Sequence, residues 1–529
     1  MQQRTLRMLG VLLSGILLWL SWPVMPFTFL IFIAWVPLLY VMDQPIKGKQ
    51  FFAGVYVTML VWNALTTWWI WNATAPGALG AILVNSLIMC LPWIGARKLA
   101  LQRGRRAGYL SLVIFWLCFE YIHLNDWGLS WPWLTLGNVF ATHTNWIQWY
   151  EFTGVSGGSL WVLAANILAY EWVRQYLLTK KILPQKQAIR FIAALALPFL
   201  LSIAATPGPK KGKLTGYDVV VVQPNIDPYE KVTIGTLDEQ LATLIRNSEQ
   251  VMDTSTRLVI WPETAIYSFR GLDEDKLKDN LLLGQLWAFM KRHPNMQLFT
   301  GLESIKRFPE ENKTSEAKRI GNSNEFYESY NGSVLLDTTG TLQTYHKSML
   351  VPGVETLPGF LKFIEPWFEK FGGGTHYVKQ KDRTVINTTT GLKLAPAICY
   401  ESIYGRFLSQ YVKKGANLVT VITNDGWWKN TPGHKQHMNY ARLRAIETRC
   451  WVARSANTGI SCFIDPSGKV YDAQPFGKEA AIKRKIPAET GYTTFYVRYG
   501  DIIFRIAAIS TIIILGTLIF LWARRKMQP

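Results

Sequence analysis

Apolar runs of near-membrane length recur along this chain, and only alternate gaps between them carry basic residues. The runs fall at about 7–23, 27–43, 51–71, 78–97, 108–124, 158–178, 189–206 and 502–523. A helix needs about 20 mostly apolar residues to cross the hydrocarbon of a bilayer, so the chain is expected to make about eight spans. Arg4 and Arg7 precede the first run, and Lys47 and Lys49 separate the second from the third. Arg97, Lys98, Arg103, Arg105 and Arg106 lie between the fourth and fifth. Arg174, Lys180, Lys181, Lys186 and Arg190 lie between the sixth and seventh, and Arg524, Arg525 and Lys526 follow the last. The gaps at 22–26, 72–77 and 123–157 hold no Lys or Arg. Basic loops stay on the cytoplasmic side. Both termini are therefore expected in the cytoplasm, and the long segment after the seventh run outside it, which in a bacterium with two membranes is the periplasm. Lys210, Lys211 and Lys213 stand on the wrong side of this rule, but long domains translocate regardless of such charges. No small-residue cleavage site follows the first run, so it reads as a retained helix and not a signal peptide.

The formal net charge of +20 would suit a nucleic-acid binder, but many of these charges sit in the short loops where a membrane protein keeps them. The gap at 123–157 carries Trp127, Trp131, Trp133, Trp146 and Trp149. Tryptophan favours the headgroup layer, so this loop is expected to lie on or dip into the outer leaflet. It ends in Gly154-Val155-Ser156-Gly157-Gly158, a match to the nucleophile elbow G-x-S-x-G. That motif requires a preceding strand; here an aromatic loop precedes it, and the glycines read as a turn into the sixth span. Of five cysteines, Cys90 and Cys118 fall in apolar runs and read as inert, and no spacing rule supports a Cys450–Cys462 bridge.

The middle of the chain, 215–495, has the mixed composition of a water-soluble α/β domain, set between a membrane part at 1–206 and a last span at 502–523. Strands are expected at 219–222, 258–261, 297–302, 417–423, 451–455 and 461–464, and a hairpin joins 334–336 to 342–346. Helices are expected at 235–249, 273–293, 402–414 and 433–449. Residues 306–330 read as a polar surface insertion. Residues 352–377 repeat apolar positions at helical spacing before Gly372-Gly373-Gly374, which suggests an interfacial lid on a glycine hinge.

Three strand ends carry chemistry: Glu263 in W-P-E-T, Lys347 in Y-H-K and Cys399 in A-I-C-Y-E. A thiol needs a base to become a nucleophile, which a carboxylate supplies. A tetrahedral intermediate needs positive charge at its oxyanion, which a lysine supplies. Taken singly, each has a bland reading: a buried thiol, a turn-capping acid, a solvated lysine. In this order, together with V-V-Q-P-N at 221–225, K-x-x-L-V-P-G-V-E at 347–355, T-N-D at 423–425, Q-H at 436–437 and R-S-A-N-T-G at 454–459, they resemble the Glu-Lys-Cys triad of the nitrilase superfamily. With the flanking spans, the whole chain is similar to the bacterial apolipoprotein N-acyltransferases within it. Pro224 and Gly426-Trp427-Trp428 depart locally from that pattern.

The resemblance implies a polytopic α-helical membrane domain of about eight spans and a periplasmic αββα sandwich. It implies a multi-pass inner-membrane enzyme, a monomer that needs no cofactor and no metal. A fatty acyl chain would pass from a phospholipid, phosphatidylethanolamine above all, through a thioacyl-Cys399 to the α-amine of a diacylglyceryl-cysteine at an apolipoprotein N-terminus. Glu263 would be the base and Lys347 the oxyanion partner. Glu355 would hold Lys347, and Tyr400 and Glu401 would line or support the site. Two other readings stand beside it: a membrane-tethered amidase or nitrilase of small C–N substrates, and a transporter or lipid-binding protein carrying an inactive enzyme domain. The latter calls for ionisable residues along a path through the spans, which are nearly free of them, Glu120 and Glu171 being exceptions near ends. His434 and His437 are spaced three apart, but no further ligand completes a metal set.

Overall fold

The computed structural model describes residues 2–180, 185–206, 216–229, 236–268, 271–357, 359–364, 377–488 and 492–527. The chain divides into two compact units. Unit 1 comprises Met1–Trp71, Pro76–Thr206 and Tyr499–Pro529; unit 2 comprises Asn72–Ala75 and Pro207–Arg498.

Unit 1 is helical. Among the described residues, five helices are long and apolar enough to cross a membrane: Gln3–Ser21, Gly48–Asn72, Ala75–Arg103, Lys186–Ala205 and Ile502–Met527. Two more, Arg105–His123 and Val155–Thr179, occupy the fifth and sixth expected positions. The second expected span is not a continuous helix. It is a 3-10 turn at Thr28–Phe32 and a seven-residue helix at Val36–Met42, with Pro37 in its first turn. At 1.5 Å per residue that helix covers only about 10 Å. The break frees backbone groups, and in an apolar setting each needs a partner. Asn166 supplies them: its Oδ1 accepts from the Trp35 amide at 2.7 Å and its Nδ2 donates to the Ile31 carbonyl at 2.7 Å.

The tryptophan-rich loop is compact. It folds into 3-10 turns at Pro132–Leu134, Leu136–Thr142 and Thr144–Trp146, and buries Trp133, Phe140 and Trp149 within the unit. Backbone contacts hold it there. Leu136 N donates to Glu120 Oε1 at 2.7 Å, and Tyr150 OH donates to the Gly137 carbonyl at 2.8 Å. The glycines of the elbow-like motif serve the turn: Gly154 has φ +60° and caps the helix Val155–Thr179, and a Cβ on Gly158 would lie 1.8 Å from the Tyr150 hydroxyl.

Unit 2 is two sheets packed face to face with helices outside. The strands are β1 (Gly216–Gln223), β2 (Thr256–Ile260), β3 (Leu272–Asp273), β4 (Gln297–Pro309), β5 (Lys318–Arg319), β6 (Glu325–Leu336) and β7 (Leu342–His346). They continue with β8 (Ile386–Asn387), β9 (Lys393–Ile398), β10 (Leu418–Thr423), β11 (Trp451–Ala456), β12 (Cys462–Ile464), β13 (Val470–Tyr471) and β14 (Ala480–Pro487). One sheet has the order β14-β1-β2-β4-β6-β5, with β3 on β4 and β7 on β6; the other runs β13-β12-β11-β10-β9-β8. The four valines of β1 are all buried because both faces are covered. Val220 and Val222 pack with Leu241 and Leu244 of the helix Leu237–Val251. On the sheet-to-sheet side, Ser455 Oγ donates to the Val222 carbonyl at 2.7 Å. That helix starts on a capping box, Thr236 with Glu239.

β1 and β2 run parallel, as do β9, β10 and β11. Parallel neighbours require crossovers, here by Leu237–Val251, Gly405–Lys413 and Pro432–Thr448. The C-terminal ends of these strands are where such sheets present their sites.

Two further expectations are corrected. The segment 273–293 is not one helix; Asp273 and Asn280 side chains take the Asp275 and Leu282 amides and split it into 3-10 turns, leaving a helix only at Gly284–Arg292. The polar stretch 306–330 is largely exposed, as expected, but it is a paired ribbon: β4 and β6 pair in register from Leu298↔Leu336 to Pro309↔Glu325. Phe326 on this ribbon sits under Lys313 and Arg319, at 4.9 and 5.9 Å. Of the expected lid at 352–377, residues 358 and 365–376, with the expected glycine hinge, lie outside the described residues, and Gly359–Ile364 is a 3-10 turn. All five cysteines are free thiols, so Cys450 and Cys462 are not bridged.

Candidate active site

Cys399 follows β9 in the left-handed region, with φ +52°, and opens a 3-10 turn to Ile403. A side chain with a Cβ adopts that conformation at a cost of roughly 1–2 kcal/mol, so the turn must be held by its surroundings. Glu401 holds it. Its Oε2 accepts from the Ile398 amide at 2.7 Å, folding the turn back onto the strand. Its Oε1 accepts from the Ser348 and Met349 amides at 2.6 and 3.1 Å and from the Tyr345 hydroxyl at 2.7 Å. Glu401 is therefore a buried brace between the cysteine turn and the residues that follow Lys347. Tyr400 is buried too, edge-on to Tyr404 at 5.3 Å.

Lys347 follows β7 and is buried, as is Glu263, which follows β2. The Lys347 ammonium lies 3.2 Å from Glu263 Oε1 and 2.8 Å from Glu355 Oε1. Glu263 Oε2 accepts from the Asn424 amide at 2.9 Å, and Glu355 Oε2 accepts from the Val351 amide at 2.8 Å. The structure thus brings Glu263, Lys347 and Glu355 into one hydrogen-bonded cluster. Both charges of the first pair act on Cys399. Burial, and then Glu263, push its thiol well above the ordinary range; Lys347 and a hydrogen bond with Thr423 pull the other way. Burial opposes the charge on Lys347, but Glu263 and Glu355 outweigh it and hold the ammonium above the usual lysine range. The resting cysteine is therefore a thiol with a fixed carboxylate and a fixed cation acting on it, the set needed for base-assisted nucleophilic attack.

Two groups escaped the sequence reading. Asn331, in the middle of β6, donates to Glu263 Oε1 at 2.9 Å and to Glu355 Oε1 at 3.0 Å and so spaces the two carboxylates. It resembled any polar strand residue, 68 positions from Glu263. The second is a buried set against the Cys399 turn. His437 Nε2 lies 3.0 Å from the Cys399 carbonyl and 2.9 Å from Ser402 Oγ, and its Nδ1 lies 2.9 Å from Asp425 Oδ1. Arg454 donates to Asp425 Oδ2 at 2.7 Å. Burial opposes ionisation of Asp425, but Arg454 and His437 hold its carboxyl well below the usual range. The pair His434 and His437 is split between two tasks, since His434 packs on the Phe476 ring at 4.6 Å. Among the described residues, no three His, Cys, Asp or Glu side chains are grouped to hold a metal ion.

Comparison with known proteins accounts for both units. The carbon-nitrogen hydrolase family model matches residues 219–494, and the model of the apolipoprotein N-acyltransferase N-terminal domain matches residues 14–168. A protein of Chlorobaculum tepidum named apolipoprotein N-acyltransferase is 31% identical over 516 residues, covering 93% of this chain and 92% of its own. The chain belongs to the apolipoprotein N-acyltransferase family. So named, too, are relatives from Geobacter metallireducens, 25% identical over 98% of this chain and 95% of theirs, and from Thermotoga maritima, 25% identical over 95% and 92%. The carbon-nitrogen hydrolase match, 219–494, falls within unit 2, and the N-terminal-domain match, 14–168, falls in unit 1 except for Asn72–Ala75.

Two expected results follow from the site's supports. Asn331→Ala removes the donor shared by two buried carboxylates, whose Oε1 atoms then keep, among the described residues, only Lys347; a hydrogen bond to a charged group is worth about 1.5–3 kcal/mol. Turnover should fall roughly 10- to 100-fold while the purified chain keeps its helicity, and a turnover within twofold of the parent would refute the spacing role. Burial pushes the Glu401 carboxyl up to about 7, from 4.5. A carboxyl that binds its proton more tightly when folded lends stability below its unfolded value and loses it as pH rises towards the folded one. The melting temperature of the parent relative to Glu401→Gln should therefore be more favourable at pH 5 than at pH 8. An unchanged difference across that range would contradict the shift.

Proposed function

We propose that this chain is a phospholipid:apolipoprotein N-acyltransferase working by two half-reactions at Cys399. Glu263 takes the thiol proton as the sulfur attacks the sn-1 ester carbonyl of a phospholipid, phosphatidylethanolamine in the first instance. Lys347 and a backbone N–H near Tyr400 carry the oxyanion. Lysophospholipid leaves with the proton from Glu263, and a thioester remains. The α-amine of a diacylglyceryl-cysteine then attacks that thioester, its proton passes to the re-formed thiolate, and the N-acylated lipoprotein leaves. Glu355 holds Lys347 in place, 2.8 Å from its ammonium.

The observation that carries this reading is the contact of the Lys347 ammonium with the Glu263 carboxylate at 3.2 Å, with both charges acting on the Cys399 thiol. We place the protein in a bacterial inner membrane as a monomer. Its eight membrane segments lie at 1–206 and 502–523, both termini are cytoplasmic, and the catalytic domain, 215–495, is periplasmic. The charge pattern of the loops supports that orientation. The experiment is mass spectrometry of the purified chain after incubation with phosphatidylethanolamine. A mass increase of one fatty acyl group on the Cys399 peptide, lost on adding a diacylglyceryl-cysteine peptide, is expected. No adduct, together with ammonia release from small amides, would favour the amidase reading.

A further inference from the structure

Outside the catalytic cluster, unit 1 contains a set of arginines whose charge is not fully answered. We propose that it binds an anionic phospholipid by its phosphodiester, in a cavity of about 470 Å³ bounded by Asp43, Arg97, Arg105, Tyr170 and Arg174. That volume lies within the range of small-molecule sites, about 300–1,000 Å³.

Arg97 forms the floor. It is buried and donates to the carbonyls of Met42, Gln44 and Ile46 at 3.3, 3.2 and 2.6 Å, so its bonds go to neutral groups and its charge remains. Asp43 Oδ2 is engaged by the hydroxyls of Tyr109 and Tyr170 at 2.8 and 3.0 Å. Arg105 Nε and Arg174 Nε stand 4.0 and 3.8 Å from that oxygen, beyond hydrogen-bond reach. Arg105 donates instead to Glu171 at 3.1 Å; among the described residues Arg174 makes no hydrogen bond. Three guanidinium groups thus meet two carboxylates, and one positive charge is left over. The side chains of Arg105 and Arg174 are about a third exposed.

A phosphodiester carries one negative charge, which cancels that excess, and presents oxygens that fit the guanidinium fork. A dianion would overshoot it beside Asp43 and Glu171. The rim selects lipid over a soluble phosphate: Leu101 and Leu178, which line the cavity, are 76% and 64% exposed and offer apolar surface to acyl chains. Basic pockets between membrane helices on the cytoplasmic side are suited to anionic headgroups, and these residues border the basic loops.

The test is native mass spectrometry of the full chain in detergent, carrying Cys399→Ala so that bound lipid is not consumed, titrated with phosphatidylglycerol. One tight phosphatidylglycerol adduct is expected, with phosphatidylcholine binding at least tenfold more weakly. Arg174→Gln should weaken that adduct roughly tenfold, about 1.4 kcal/mol, and Asp43→Asn, which removes the competing charge, should tighten it. Acyl transfer by Arg174→Gln with Cys399 intact should equal the parent's and shows that the variant folds. Equal affinity in parent and Arg174→Gln would overturn the proposal, as would phosphatidylcholine binding as tightly. Displacement of phosphatidylglycerol by an equal concentration of inorganic phosphate would mean a site for a soluble anion and overturn it equally.

Discussion

Cys399→Ala is expected to abolish acyl transfer, by a factor on the order of 10⁴ or more, as removal of a catalytic nucleophile does. The loss should not come from unfolding. Cys399 is already enclosed and Ala keeps the Cβ, so the packing change is one sulfur atom. The backbone sharpens the test. At φ +52° any residue with a Cβ is strained, and glycine is not. Cys399→Gly should therefore be more stable than Cys399→Ala by about 1 kcal/mol, while both are inactive. Transfer to a diacylglyceryl-cysteine peptide and melting of the detergent-solubilised protein measure the two effects separately. Transfer above one per cent of the parent in either variant would remove Cys399 from the proposed chemistry. An alanine variant at least as stable as the glycine one would remove the strain.

The proposed trio was legible because each member follows the end of an expected strand, and in an α/β sheet such ends converge whatever lies between them. Glu263, Lys347 and Cys399 advertise their type by charge or sulfur at those ends. Asn331 does not: it is an amide in the middle of a strand, and its task depends on the register of β6 against its neighbours, which no local pattern encodes. His437 was visible as a residue but not as a partner, since its acceptors Asp425 and the Cys399 carbonyl are 12 and 38 residues away. The second apolar run read as a span because hydropathy counts side chains; the break at 33–35 is tolerated through Asn166, 131 residues from Trp35. The ribbon of β4 and β6 was misread for the opposite reason. Its side chains are polar, and its strand character comes from pairing, not composition.

Glu263→Gln separates two ways in which a buried cysteine can become reactive. If a standing thiolate did the work, removing the Glu263 charge would help, because that carboxylate raises the thiol pKa and Lys347 lowers it. If Glu263 takes the proton during attack, its removal deprives the step of its base, worth about 10²–10⁴ in rate. The geometry favours the second. Oε1 of Glu263 is engaged by Lys347 and Asn331, and Oε2 by the Asn424 amide, an arrangement that fixes the carboxyl group in place. The two readouts should therefore move in opposite directions. Alkylation of Cys399 by a neutral iodoacetamide should titrate at lower pH in Glu263→Gln than in the parent, while acyl transfer falls at least a hundredfold. Lys347→Ala should show the reverse for alkylation, a higher midpoint, with transfer down roughly 10²–10³ for the lost oxyanion contact. Should transfer survive Glu263→Gln within tenfold, the carboxylate is an ion-pair partner of Lys347 and another group must accept the proton.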